Sequence, residues 1–216
     1  MKLLNDSGMK FVIGTTQVGK TVFCRQLYYE LDGAINIWLN SQGSDRIPNI
    51  GGRRVRSIRG LESALSRTET RINYLAKDRE QEIVELQKWM FKKAEKSNRS
   101  LKFNLFVDEC QEVMPQTNKK DVPPRDACRK ICKRGEKRGI SLWAITQLVQ
   151  DIDKSCLKQR RALLVFEGLT PEQKRYLRDF GVDVSEVNRL PQYSCIVYDR
   201  SGEVLAKGLK ADSKYA

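Results

Sequence analysis

The sequence predicts an α/β fold: a mostly parallel sheet flanked by helices and closed by a small C-terminal β-hairpin. Three observations carry this expectation. Short apolar runs alternate with segments of helical periodicity along most of the chain. A glycine-containing turn joins the first apolar run to the first helical segment. Near the end, Ser194–Asp199 and Glu203–Ala206 flank Arg200-Ser201-Gly202, a hairpin signal.

The elements follow in order. Phe11-Val12-Ile13 reads as a buried strand. Thr21–Leu31 reads as a helix, with Val22, Phe23, Leu27 and Leu31 on one stripe. Ala34–Leu39 is a second strand, and Asn40–Gly52 a loop. Arg54–Ile58 alternates basic and apolar residues, as an edge strand does. Leu61–Asn98 is expected to be helical throughout, as one helix or two. There Leu61, Leu65, Ile72, Leu75, Ile83, Leu86 and Met90 recur at helical spacing. Phe103–Val107 is a strand, Pro115–Pro124 a loop and Arg125–Arg138 a basic helix. Leu142–Ile145 is a strand, Asp151–Gln159 a helix and Ala162–Phe166 another strand. Thr170, Pro171 and Gln173 have the spacing of a capped helix start.

The 216 residues suffice for one α/β domain with a full core, so a single domain over residues 1–216 is expected. Lys and Arg number 40 against 27 Asp and Glu, a net charge of +13. Such an excess points to a polyanionic partner, nucleic acid in the usual case. The chain has no histidine and no C-x-x-C pair among its six cysteines, which removes most zinc-site readings. The cysteines are expected to be buried free thiols. No apolar run approaches the roughly 20 residues needed to cross a bilayer. Met1–Ser7 lacks the apolar core of a signal peptide, so a cytoplasmic protein is expected.

Gly14-Thr15-Thr16-Gln17-Val18-Gly19-Lys20-Thr21 fits G-x-x-x-x-G-K-[ST], the phosphate-binding loop. Its glycines let backbone N–H groups curl around phosphate oxygens. Lys20 supplies charge to the β- and γ-phosphates of ATP, and Thr21 a hydroxyl to Mg2+. The helix that follows points its positive end at the anion. Asn104-Leu105-Phe106-Val107-Asp108-Glu109 delivers two acids to the end of an apolar strand, where α/β sheets bind ligands. Asp108 suits Mg2+, directly or through water, and Glu109 suits the general base that polarises the attacking water. Ile140–Gln147 is a third strand with a polar end, and Gln147 is a candidate for the γ-phosphate or the lytic water.

These three pieces, in this order, resemble the HerA/FtsK superfamily of DNA-pumping ATPases, and in size the small virion DNA-packaging ATPases of viruses with internal membranes. The resemblance covers roughly Phe11 to Gly208. Its most telling block is Lys133–Gln147 (KRGEKRGISLWAITQ): basic helix, glycine, apolar strand, Thr-Gln. The stretch Leu164–Val204, with Thr170-Pro171-Glu172 and Leu190-Pro191, is similar too. The resemblance implies a RecA-like core of the ASCE type, with extra strands between the phosphate loop and the acid-bearing strand. It implies that the Gln147 strand lies between the phosphate-loop strand and the Asp108 strand. It also implies a homo-oligomeric ring, usually a hexamer, with ATP at subunit interfaces, double-stranded DNA in the channel and an arginine finger from the neighbouring subunit. Family members often carry that arginine three residues before the glycine preceding the strand, where this chain has Glu136. The candidates are therefore Arg138 and Arg134, then Arg129.

The expected function is an ATP-driven translocase that packages a viral double-stranded DNA genome, cytoplasmic or virion-associated, with a capsid, portal or membrane protein as a further partner. The alternatives are another pump of the superfamily, serving phage assembly, conjugation or repair, and a nucleotide-dependent switch or loader. Two basic segments, Lys119–Arg138 and Arg46–Arg59, are the candidate DNA contacts, through phosphates rather than bases.

Overall fold

The computed structural model describes residues 4–41, 47–48 and 50–215. Much of the Asn40–Gly52 loop, Arg46 included, therefore lies outside the described residues. The chain begins with β1 (Gly8–Ile13), α1 (Lys20–Glu30), β2 (Ile35–Ser41), β3 (Arg53–Val55), α2 (Ile58–Leu65) and β4 (Arg71–Ala76). It continues with α3 (Arg79–Lys96), β5 (Phe103–Val107), α4 (Pro123–Arg134), β6 (Ile140–Thr146), α5 (Lys154–Lys158) and β7 (Ala162–Phe166). It ends with α6 (Pro171–Arg178), α7 (Val184–Val187), β8 (Ser194–Tyr198) and β9 (Val204–Lys210). Among the described residues the strands form one nine-stranded sheet in the order β3-β4-β2-β5-β6-β1-β7-β8-β9. β3 to β7 pair in parallel, and β8 and β9 add an antiparallel end. The mostly parallel sheet with a terminal hairpin is thus as expected. So is the position of β6 between the phosphate-loop strand β1 and the acid-bearing strand β5.

Leu61–Asn98 is not helical throughout. α2 ends at Leu65 and α3 starts at Arg79, with the buried strand β4 between them. Ile72 and Leu75 are three apart, so they imitate helical spacing, but Ile72, Tyr74 and Ala76 repeat every second residue and share one core. The polar run Ser66–Thr70, with Thr68 at φ 61°, breaks the chain direction before the strand. Helical structure in α3 begins at the Asp78 cap, which accepts from the Gln81 N–H. Glu80 and Glu82 lie in its first turn and Lys93 and Lys96 in its last, favourable for the helix dipole. The basic helix α4 is shorter than expected: it stops at Arg134, and Glu136–Arg138 form a separate 3-10 turn. Asp151–Gln159 likewise divides into a 3-10 turn at Val149–Asp151 and the short α5. No helix among the described residues is long and apolar enough to cross a membrane. All six cysteines are free, and all but Cys132 are buried.

Parallel strands are covered on both faces, so the sheet is nearly all buried. One row across it is aromatic. Trp38, Phe106 and Trp143 stand in register on β2, β5 and β6 and stack at centroid distances of 5.5 and 5.6 Å. Tyr28 of α1 meets Trp38 and Phe106 edge-on. Lys10 continues the row on β1, with its ammonium 4.7 Å from the Trp143 ring. It donates to the Asp6 carbonyl and the Ser141 hydroxyl. Burial pushes the Lys10 ammonium down to about 7, against a smaller opposing pull from Asp6. Unfolded Lys10 titrates near 10.5, so between these values the unfolded chain holds one more proton and stability rises with pH. Lys10→Met should remove this rise. The check is the difference in urea midpoint between wild type and variant, which should shift in favour of wild type from pH about 7 to about 10.

Candidate nucleotide site

The site is assembled along the carboxyl edge of β1, β6 and β5. β1 ends at Ile13 opposite Thr146, and Val107 pairs with Ala144. Gly14 and Gln147 therefore leave adjacent strands level with each other, and Asp108 leaves β5 two residues lower, opposite Ile145. The loop between β1 and α1 curls tightly. Gln17 and Gly19 take left-handed φ values of 61° and 90°. A Cβ at Gly14 would stand 2.8 Å from Val18 and 2.9 Å from Phe166, so glycine is needed there for space rather than dihedral freedom. α1 has no side-chain cap and no acid in its first turn. Its first N–H groups and dipole are thus left for an anion.

A cleft of about 600 Å³ lies over this edge, between the phosphate loop, Asp108, Glu109 and the segment around Tyr193 and Ala211. Lys20 is buried, and its ammonium donates to the Thr15 carbonyl at 2.5 Å. The Thr21 hydroxyl donates to the Asp108 carboxylate at 3.0 Å, and the Glu109 N–H donates to its other oxygen at 2.9 Å. Burial raises the Asp108 carboxyl above the ordinary range, against these two hydrogen bonds. Burial also lowers the Lys20 ammonium, against attraction from Asp108 and Glu109. Each charge is thus short of solvation, a deficit that a phosphate beside Lys20 and a cation beside Asp108 would relieve. Two hard oxygen donors, the Thr21 hydroxyl and the Asp108 carboxylate, suit Mg2+.

Glu109 has a left-handed backbone, φ 46°, unusual for a residue with a side chain. The turn it makes brings Gln111 back onto it. The Gln111 amide donates to one Glu109 carboxylate oxygen at 2.7 Å, and the Gln147 amide donates to the other at 2.7 Å. The Gln147 amide oxygen accepts from the Thr16 hydroxyl of the phosphate loop at 2.8 Å. One side chain therefore spans the phosphate loop and the candidate base.

Two further glutamines set this geometry, and neither had a functional signal in the sequence. Gln111 also accepts from Thr146 at 2.8 Å. Buried Gln173 closes the α6 capping box, accepting from the Thr170 N–H at 2.7 Å, and its amide donates to the Gln147 carbonyl. Its capping role was legible in the spacing; its reach to Gln147 depends on α6 packing against the Val149–Asp151 turn that follows β6. Arg79 at the start of α3 donates to the Asp108 carbonyl and pairs with Glu112 at 2.7 Å.

The three candidate finger arginines lie elsewhere. Arg134 and Arg138 precede β6, at the opposite end of the sheet from their own phosphate loop, a strand length of roughly 20 Å. Arg138 pairs with Glu95 at 3.1 Å and lies over the Phe91 ring. Arg129 pairs with Asp153 at 2.5 Å and Asp126 at 3.6 Å. Arg134 is exposed, and its side chain has no partner among the described residues.

Gln173→Ala should cost about 1–3 kcal/mol of stability, because it leaves the Gln147 carbonyl and the Thr170 N–H without partners. Denaturant unfolding measures this, and an unchanged midpoint would contradict it.

No protein-family model and no curated protein matches the chain. Solved structures do. The DNA-packaging ATPase B204 of Sulfolobus turreted icosahedral virus superposes with a TM-score of 0.74 at 18% identity, over 96% of this chain and 100% of that one. The genome-packaging NTPase B204 of Sulfolobus turreted icosahedral virus 2, in complex with AMP, gives 0.73 at 17% identity, over 95% and 98%. The conjugation coupling protein TcpA of pCW3, with ATPγS, gives 0.59 at 16% identity, over 98% of this chain and 62% of that one. Sheet order, phosphate loop and acid-bearing strand together give this chain the RecA-like P-loop fold that these viral packaging ATPases and the coupling protein TcpA share.

Proposed function

We propose that this protein is an ATPase that moves double-stranded DNA, packaging a viral genome into a capsid. The observation that carries the proposal is the Gln147 amide, held between Thr16 of the phosphate loop and the Glu109 carboxylate. A switch protein has no need of a base so tied to the phosphate loop. The likeness over nearly the whole chain to genome-packaging ATPases supports the choice of cargo. The +13 charge supports a polyanionic one.

The phosphate loop Gly14–Thr21 would cradle the phosphates of ATP, with Lys20 against the β- and γ-phosphates. Thr21 and Asp108 would hold Mg2+, which supplies positive charge to the transferring phosphoryl group. Glu109 would accept a proton from the attacking water. Both its oxygens accept hydrogen bonds, from Gln111 and Gln147. A γ-phosphate arriving at Thr16 would compete for Gln147, so base and phosphate are coupled through one amide. The chain acts in a ring, a hexamer in this reading, because Arg134 and Arg138 can reach only a neighbour's nucleotide. Arg134 is the better placed finger, since Arg138 and Arg129 are already paired. Such a ring would work in the host cytoplasm or at the virion, against a capsid, portal or membrane protein.

Glu109→Gln should lower kcat for ATP hydrolysis by roughly 10² to 10⁴ while nucleotide still binds. Lys20→Ala should weaken binding of a fluorescent ATP analogue. Wild-type hydrolysis should rise with double-stranded DNA, and less so at higher salt. Hydrolysis indifferent to DNA would overturn the motor reading.

Arg134→Ala subunits, mixed with Lys20→Ala subunits, should recover part of the activity that either lacks alone. Recovery requires the finger to act across the interface, and none is expected if Arg134 serves its own site.

A further inference from the structure

We propose that the arginine groove between β3 and α2 is where this protein grips the sugar–phosphate backbone of double-stranded DNA. The inference rests on the DNA-moving reading and specifies its contact surface. Four arginines, Arg53, Arg54, Arg56 and Arg67, line a cavity of about 250 Å³ together with the buried Val55 and Ala64. All four are exposed, and none forms an ion pair with the described acids. Two acids are close by in sequence. Glu62 is turned away to Lys93 at 2.9 Å and to the Trp89 indole N–H at 3.3 Å, and Glu69 is exposed beyond Arg67.

In the other basic segment every arginine but the exposed Arg134, the candidate finger, is engaged within the chain. Of its arginines, Arg125 is buried and donates to the Thr117, Lys119 and Lys120 carbonyls. Arg129 and Arg138 are held by Asp153 and Glu95. Those guanidinium groups build the fold of α4 and its neighbours, whereas the guanidinium groups of the β3–α2 arginines form no ion pair among the described residues. A guanidinium fork fits phosphate oxygens in pairs, which is the use left to them. The groove contains no aromatic ring to stack a base, so it favours a duplex backbone over a single strand.

Position favours coupling to the nucleotide. β3 is the edge strand, and Val55, Tyr74, Leu39 and Val107 stand in one register row. Arg56 therefore leaves the sheet at the height where Asp108 leaves it, three strand spacings or about 14 Å along the same edge.

The test is binding of a random-sequence, fluorescent DNA duplex to the full chain across a salt series. Arg54→Glu with Arg56→Glu should weaken binding at least tenfold and flatten the log–log salt slope by roughly two. Arg54→Gln with Arg56→Gln should move both in the same direction by less. Lys130→Glu with Lys133→Glu on exposed α4 is the charge-matched control and should have a smaller effect. Thermal midpoints near wild type for all three show that the variants are folded. If the β3–α2 and α4 reversals weaken binding equally, only net charge matters and the groove is overturned. If wild type binds the duplex and the β3–α2 variants bind as well, the groove alone is wrong. If wild type binds no duplex at low salt, the DNA-moving reading fails and the groove with it.

Discussion

The site depends on one feature of the sheet, the insertion of β6 between β5 and β1. Without it the acid-bearing strand would lie directly against the phosphate-loop strand, and no residue would stand between them. With it, three parallel strands end side by side, and each contributes one polar group at its carboxyl end. Gln147 then has the phosphate loop on one side and Glu109 on the other, within hydrogen-bond distance of both. The backbone ladder fixes this spacing to fractions of an ångström, which a loop-borne glutamine would not achieve.

The interior of the sheet makes that ladder stiff. Trp38, Phe106 and Trp143 stack across the neighbouring strands β2, β5 and β6, and Tyr28 locks α1 onto two of them. A buried polar row lies one pair of residues behind. Asn104 donates to Asn36 at 2.8 Å, and Asn36 donates to the Tyr28 and Leu31 carbonyls at the end of α1. These amides satisfy carbonyls that the helix end leaves open. Both ends of α1 are thereby fixed, one by the phosphate loop and one by Asn36, so the helix aims its positive end at the cleft.

Electrostatically the cleft is poised for a charged ligand. Asp108 and Lys20 are both pushed toward their neutral forms by burial. A nucleotide with its metal would bring the opposite charge to each, so much of the binding selectivity would reside in groups that the protein itself solvates poorly. The carboxylate of Glu109 is instead held by neutral amides, which hydrogen-bond it without cancelling its charge. A group meant to take a proton has to keep that charge.

The sequence by itself determined the phosphate loop, the acids at Asp108 and Glu109, the alternation of strands and helices, and the terminal hairpin. These are local: each is written in the spacing of adjacent residues and in the dihedral needs of glycine. It misread β4, because Ile72 and Leu75 also satisfy a helical period, and only pairing with β2 and β3 on its two sides decided for the strand. Likewise Gln111 reaches Glu109 only through a left-handed turn, and Gln173 reaches Gln147 only because α6 packs against the Val149–Asp151 turn after β6. The use of the arginines was also decided in three dimensions. In sequence Arg125, Arg129 and Arg138 look as free as Arg54 and Arg56. The fold buries Arg125 against carbonyls, pairs the half-buried Arg129 and Arg138 with carboxylates and leaves Arg54 and Arg56 in water, because ion pairing depends on which elements meet, and sequence spacing does not specify that.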